Sequence, residues 1–234
     1  MIDLRPFEQL HNSKAGDWLD ARFHFSFSNY FDPERMNWGR LRVWNDDRIG
    51  PRSGFPPHPH ENMEIITYVR GGKLTHKDNM GNVGVTSAGN VQVMSAGSGV
   101  VHAEYNAEDE DEYNFQIWIE SDQRGGDSYW ELREFPKDDR AGQWVVLASG
   151  DPEADDALPI RCDARVLGAT VRAGDTLSYT PSQSTRHQYL VPSQGRIRVN
   201  GVEAKQRDGL AITQEDQITI EALEDSELVM VDSL

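Results

Sequence analysis

The chain has 234 residues, 37% hydrophobic and 26% charged, a balance that suits a folded domain and excludes a disordered chain. Its formal net charge is −16, which repels phosphate backbones and anionic membranes and so argues against nucleic-acid and membrane-surface partners. No run approaches the ~18 apolar residues of a membrane span, no secretory leader is visible, and a single cysteine, Cys162, allows no internal disulfide, so the cytoplasm is the expected compartment and a monomer the default state.

Short strand-like segments separated by Gly, Asn, Asp and Pro follow one another along the chain. Phe23, Phe25 and Phe27 alternate with His24, Ser26 and Ser28, the period of a half-buried strand, which turns His24 away from the phenylalanines. A short strand is expected at 41–44, then strands at 64–70 and 73–77 about Gly71-Gly72, a turn at 78–82, and strands at 83–86 and 91–94. A glycine-rich break at Gly97 and Gly99 precedes the segment containing His102. From 113 to 120, Phe115, Ile117 and Ile119 share one face. Residues 122–127 read as a loop, and 129–135 with the polar run after it as a connector with room for a helical turn.

The second half repeats the style, with strands expected at 144–148, 164–171, 176–179, 188–191, 196–199, 210–213, 217–220 and 228–231. Asn200-Gly201 is a hairpin signal. The pattern predicts an all-β protein of two β-rich domains of similar architecture, divided between about residues 125 and 140.

Two pairs of residues carry candidate chemistry. His58 and His60 are two apart, as are His102 and Glu104, and residues two apart on a strand face the same side. Imidazole and carboxylate together suit Fe, Ni, Co, Mn, Cu or Zn. Three histidines and one carboxylate leave coordination positions open for a substrate, as in catalytic sites. Either pair alone is common on solvated strands; their combination is not. Glu64 shares parity with His58 and His60, so spacing alone leaves the acid open between Glu64 and Glu104. His76 suits a structural hydrogen bond, His11 a surface position, and His187 has no partner histidine. Met63, Phe55 and Gln116 are candidate pocket residues, and the acidic run 108–112 reads as a solvated loop.

The stretch from His58 through His60 and Glu64 to Gly71 resembles the first cupin motif, with its leading glycine displaced to Gly54. The stretch from Gly89 through Gly97, His102 and Asn106 resembles the second, with Ser95 where proline is usual and a longer spacing before the histidine. More closely, HPHENMEIITYVRGG, HKDNMGN and VQVMSAGSGVVHAEYN resemble the pirin family. DARVLGATVRAGD, the Asn200-Gly201 hairpin and the terminal LVMVDSL are similar to its short bacterial branch, the pirin-like quercetin 2,3-dioxygenases. Asn79 and Ala103 stand where that family usually has serine.

The resemblance implies a bicupin: two antiparallel β-barrel (jelly-roll) domains, a metal-binding one over 1–130 and one over 131–234 without a metal site. It implies His58, His60, His102 and Glu104 as ligands of one divalent transition metal ion, with iron(II) expected and Ni, Co, Mn, Cu or Zn able to replace it. Glu64 is then a supporting or a structural acid, with a hydrogen bond to a ligand imidazole as one option. The implied activity is cleavage of the flavonol quercetin by dioxygen. The metal-bound 3-hydroxyl loses its proton to Glu104, the electron-rich ring reacts with dioxygen at C2 and C3, and a depside and carbon monoxide leave. Two other readings stay open: a non-enzymatic iron-binding redox sensor that contacts transcription factors, and a different cupin enzyme such as a sugar isomerase.

Overall fold

The computed structural model describes residues 1–234. The first half contributes β1 (Ile2–Arg5), β2 (His11–Ala15), β3 (Leu19–Phe23), β4 (Leu41–Ile49), β5 (Ser53–His60), β6 (Met63–Gly71), β7 (Lys73–Asp78), β8 (Val83–Ser87), β9 (Val91–Ser95), β10 (Val100–Asn106), β11 (Glu112–Glu120) and β12 (Tyr129–Arg133). The second contributes β13 (Val145–Ser149), β14 (Leu158–Pro159), β15 (Ala164–Val171), β16 (Thr176–Tyr179), β17 (His187–Gln194), β18 (Ile197–Val199), β19 (Val202–Ala204), β20 (Gly209–Thr213), β21 (Ile218–Ala222) and β22 (Ser226–Ser233). Helical structure is confined to short turns, and no helix is long and apolar enough to cross a membrane.

Each half is a jelly roll of two facing sheets, not a barrel closed by continuous hydrogen bonds. In the first, the seven-stranded sheet β12-β9-β6-β11-β4-β3-β2 faces the four-stranded sheet β5-β10-β7-β8. In the second, β1-β20-β17-β22-β15-β13-β14 faces β16-β21-β18-β19. The start of the chain crosses this division: β1 pairs along β20 in the second half's sheet, while β12 closes the edge of the first half's sheet beside β9.

The two large sheets pack back to back. Trp44, Ile66, Tyr68, Val93, Phe115 and Ile117 of the first interlock with Leu147, Val166, Tyr189, Val191, Val229 and Val231 of the second in one buried cluster of 23 residues. Burial of each large apolar side chain stabilises the pair by about 1.5–3 kcal/mol. Polar links cross the same seam: Arg70 and Arg207, from different halves, both engage the buried Asp46.

The interiors of the two jelly rolls differ. The second is filled by Leu167, Leu190, Ile197, Ile212, Ile220, Met230 and neighbouring apolar side chains. The first has two small apolar clusters, one about Ile65, Met94 and Val100 and one about Ile49, Val69 and Leu74. The space between them is lined by polar groups, Thr67, Gln92, Glu104 and Gln116 among them. This polar middle is where the candidate site lies.

Several expectations need correction. The third strand stops at Phe23, and His24 is buried against the second half, its Nδ1 2.8 Å from the Tyr189 hydroxyl. The strand beginning at Leu41 runs on to Ile49 through Asn45-Asp46-Asp47-Arg48, a turn-like run held extended by pairing to strands on both sides. Residues 129–133 form a strand, because Tyr129 to Arg133 complete the ladder along β9, and the connector's helical turn lies in the polar run after it, at Asp138–Arg140.

Candidate metal centre

Strand parity delivers the two residue pairs to one place. On β5, His58 and His60 are partly buried while Pro57 and Pro59 face outward. On β10, His102 and Glu104 are buried while Val101 and Tyr105 are exposed and Ala103 is turned from the site. The strands are antiparallel neighbours, with His102 directly opposite His58 and the extra residue of a bulge on β5, which brings Phe55 opposite Glu104. Their close approach depends on Gly54: a Cβ there would lie 2.2 Å from the Glu104 carbonyl oxygen and 2.6 Å from Tyr105 Cα.

The three imidazoles form a near-regular triangle, with ring centroids 4.8 Å (His58–His60), 4.5 Å (His58–His102) and 4.9 Å (His60–His102) apart. A ligating nitrogen from each lies within 4.8 Å of the others, a spacing that could hold a metal ion. Glu104 reaches the same spacing with His102 and His76.

The tautomers suit ligation. His58 Nδ1 lies 2.8 Å from the Pro56 carbonyl and so carries the proton, which leaves Nε2 as a lone pair. His102 Nδ1 is 3.4 Å from His76 Nδ1, and His76 Nε2 is 3.0 Å from Asp78 Oδ2. If His76 donates from Nε2 to that carboxylate, its Nδ1 accepts from His102, and His102 Nε2 is left bare. That atom is buried with no hydrogen-bond partner in the protein, the state expected of a metal-directed nitrogen. Burial also disfavours protonation. It lowers His102 to about 2 and His60 to about 4, in each case with a further contribution from His58, so both rings are neutral at pH 7.

Glu104 is held from three sides. Gln92 Nε2 donates to Oε1 at 2.8 Å, Gln116 Nε2 donates to Oε2 at 2.7 Å, and the Thr67 hydroxyl lies 3.3 Å from Oε1. Burial raises the carboxyl to about 7 despite these hydrogen bonds. Glu64 is elsewhere. Asn62, at φ 52°, breaks the chain between β5 and β6, so parity does not carry from His60 to Glu64. Glu64 instead accepts from Ser95 Oγ (3.0 Å) and Ser121 Oγ (2.6 Å), and no hydrogen bond links it to an imidazole of the triangle.

A cavity of about 150 Å³ opens beside the triangle, lined by Phe27, Asn45, Asp47, Phe55, Ile65, Gln116 and Trp118 with the three histidines and Glu104. Of the candidate pocket residues, Phe55 and Gln116 line it, while Met63 packs at the edge of a neighbouring apolar cluster. Every lining residue comes from the first half, so the second half does not wall this cavity. Sequence reasoning missed Asn45, Asp47, Phe27 and Trp118. The alternation of Val43, Asn45, Asp47 and Ile49 was the available signal for the first two, hidden by turn-like composition.

Residues 5–119 match the Pirin family model, and residues 146–233 match the model described as the quercetinase C-terminal cupin domain. The chain belongs to the pirin family. It is 59% identical to a pirin-like protein of Caulobacter vibrioides over the full length of both chains. It is 38% identical to the quercetin 2,3-dioxygenase of Escherichia coli K12, covering 99% of this chain and 98% of that one. A bacterial pirin of Escherichia coli, solved in complex with nickel(II), superposes with a TM-score of 0.93 at 36% identity, covering 100% of this chain and 99% of that one. Pirin-family membership agrees with the two-jelly-roll architecture.

Proposed function

We propose that this pirin is a metal-dependent dioxygenase that cleaves quercetin to a depside and carbon monoxide, with His58, His60, His102 and Glu104 as the ligands of one divalent transition metal ion. The observation that carries the reading is the buried, partnerless Nε2 of His102 within a triangle of three imidazoles. The E. coli relatives, one named quercetin 2,3-dioxygenase and one solved with nickel(II), support the same reading. Iron(II) is the expected ion; nickel, cobalt, manganese, copper and zinc suit the same donors.

When bound, a divalent ion supplies Lewis acidity that lowers the pKa of a coordinated hydroxyl. The protein's own groups do the rest. Glu104, a carboxylate that lines the cavity and is held by Gln92, Gln116 and Thr67, is placed to take the proton of that hydroxyl. Phe27, Phe55 and Trp118 supply flat apolar walls that fit an aromatic ring and exclude water. The stoichiometry closes: quercetin takes up both atoms of dioxygen and loses one carbon as carbon monoxide.

The test is consumption of quercetin and oxygen by the protein as isolated and after reconstitution with iron, nickel or cobalt. Turnover with carbon monoxide release by at least one metal form is expected. Metal binding by every form without consumption of quercetin or oxygen would contradict the reading and favour a sensor.

A further inference from the structure

The cavity beside the histidines has a second polar wall to which the reading above gives no role. Asn45 and Asp47 project from the same face of β4 into it, and both are more than nine-tenths buried. Asn45 Oδ1 and Asp47 Oδ1 have no hydrogen-bond partner in the protein. A buried polar group left in that state costs about 1–3 kcal/mol, and native proteins keep few of them.

Their neighbours are committed elsewhere. Gln116, opposite Asn45 across the β4–β11 ladder, gives its amide to Glu104. Asn114, opposite Asp47, gives its amide to Glu112 at 2.9 Å. Arg70 engages Asp46, which points from the other face of β4 toward the second half. Both side chains line the cavity, and Asn45 lies one cross-strand step from Gln116, the residue that holds Glu104.

The cavity's size limits what they meet. About 150 Å³ encloses a single aromatic ring, so a larger ligand such as a flavonol inserts one ring and leaves the rest outside. Phe55 on the facing sheet and Ile65 on the same sheet offer that ring no hydrogen-bonding carboxyl or amide.

We propose that Asn45 and Asp47 are positioning residues that hydrogen-bond a hydroxyl of the enclosed ring, adjacent to the oxygen directed at His58, His60 and His102. The ligand class is a planar phenol or enol with two neighbouring oxygens. The proposal rests on the functional reading above only for the oxygen that faces the histidines. Burial, with Asp46 and Glu104 nearby, raises the Asp47 carboxyl to about 8, so at neutral pH it presents a donor as well as an acceptor.

The experiment is calorimetric titration of the nickel-loaded protein with catechol and with phenol, which differ by the second hydroxyl. The native protein should prefer catechol. In Asp47→Leu and Asn45→Leu, catechol affinity should fall about tenfold while phenol affinity changes by less than about twofold, since the group removed meets only the second hydroxyl. Asp47→Asn, which keeps a donor and an acceptor in nearly the same volume, should retain most of the preference and serves as the variant least disturbed in folding. Nickel should stay at one ion per chain throughout. Equal losses for the two ligands, no loss, no catechol preference in the native protein, or loss of nickel from the Asp47 variants would each overturn the proposal. Failure of the native protein to consume oxygen with quercetin would reject the dioxygenase reading and leave this comparison intact.

Discussion

His102 and His76 meet nitrogen to nitrogen, Nδ1 to Nδ1 at 3.4 Å, and His76 continues through Nε2 to Asp78. His76 also stacks on Trp130, the rings 4.7 Å apart and 5° from parallel, which fixes its plane. The chain Asp78–His76–His102 thus selects the tautomer and direction of a proposed ligand from behind. Outer partners of this kind typically carry 10–100-fold of metal affinity.

His76→Phe keeps the stack on Trp130 and removes the nitrogen. Nickel affinity, measured by competition with a chelator, should weaken about 10–100-fold while the fold persists. Unchanged affinity would show that His102 is oriented without His76.

Gln116→Leu takes away the donor to Glu104 Oε2 and leaves that oxygen buried without it. A hydrogen bond to a charged group contributes about 1.5–3 kcal/mol, so quercetin turnover should fall at least about tenfold. Steady-state oxygen uptake at matched metal content checks this.

The stability effect of Asp47 has a sign that pH reveals. Its folded pKa, about 8, lies above the unfolded value of 3.8. Between those values the folded state binds the proton more tightly, so this group's contribution is fully present below about pH 4 and is lost as pH rises toward 8. Asp47→Asn removes the dependence. Denaturant titrations of the metal-free proteins should show the variant gaining stability relative to the native chain from pH 4 to pH 8. A constant difference over that window would contradict the assignment.

Ile117→Ala cuts into the cluster shared by both halves, at a residue with no exposed surface. It should destabilise the protein by about 2–5 kcal/mol. Because the cluster belongs to both sheets, calorimetry should show one transition at lower temperature, not two.

Much of this fold was legible because short strands announce themselves by alternation and turns. The ligand pairs were legible for the same reason: His58/His60 and His102/Glu104 each lie within one unbroken strand, where parity is reliable. Parity failed for Glu64 because it was carried across the left-handed Asn62, where the strand breaks. Asn45 and Asp47 were missed because Asn-Asp-Asp composition normally marks a turn. Here cross-strand pairing on both sides outweighs that preference. The exchange of β1 into the second half's sheet is a long-range pairing, Ile2 with Ile212, to which no local pattern points.

The central claim is that one metal ion on the His102 triangle carries the chemistry. The most direct measurement pairs metal content with oxygen uptake and carbon monoxide release on quercetin for the native protein, His102→Ala and His187→Ala. The account predicts one ion per chain and turnover in the native protein and in His187→Ala, and loss of both in His102→Ala. Equal metal content and equal turnover in the two variants would contradict it.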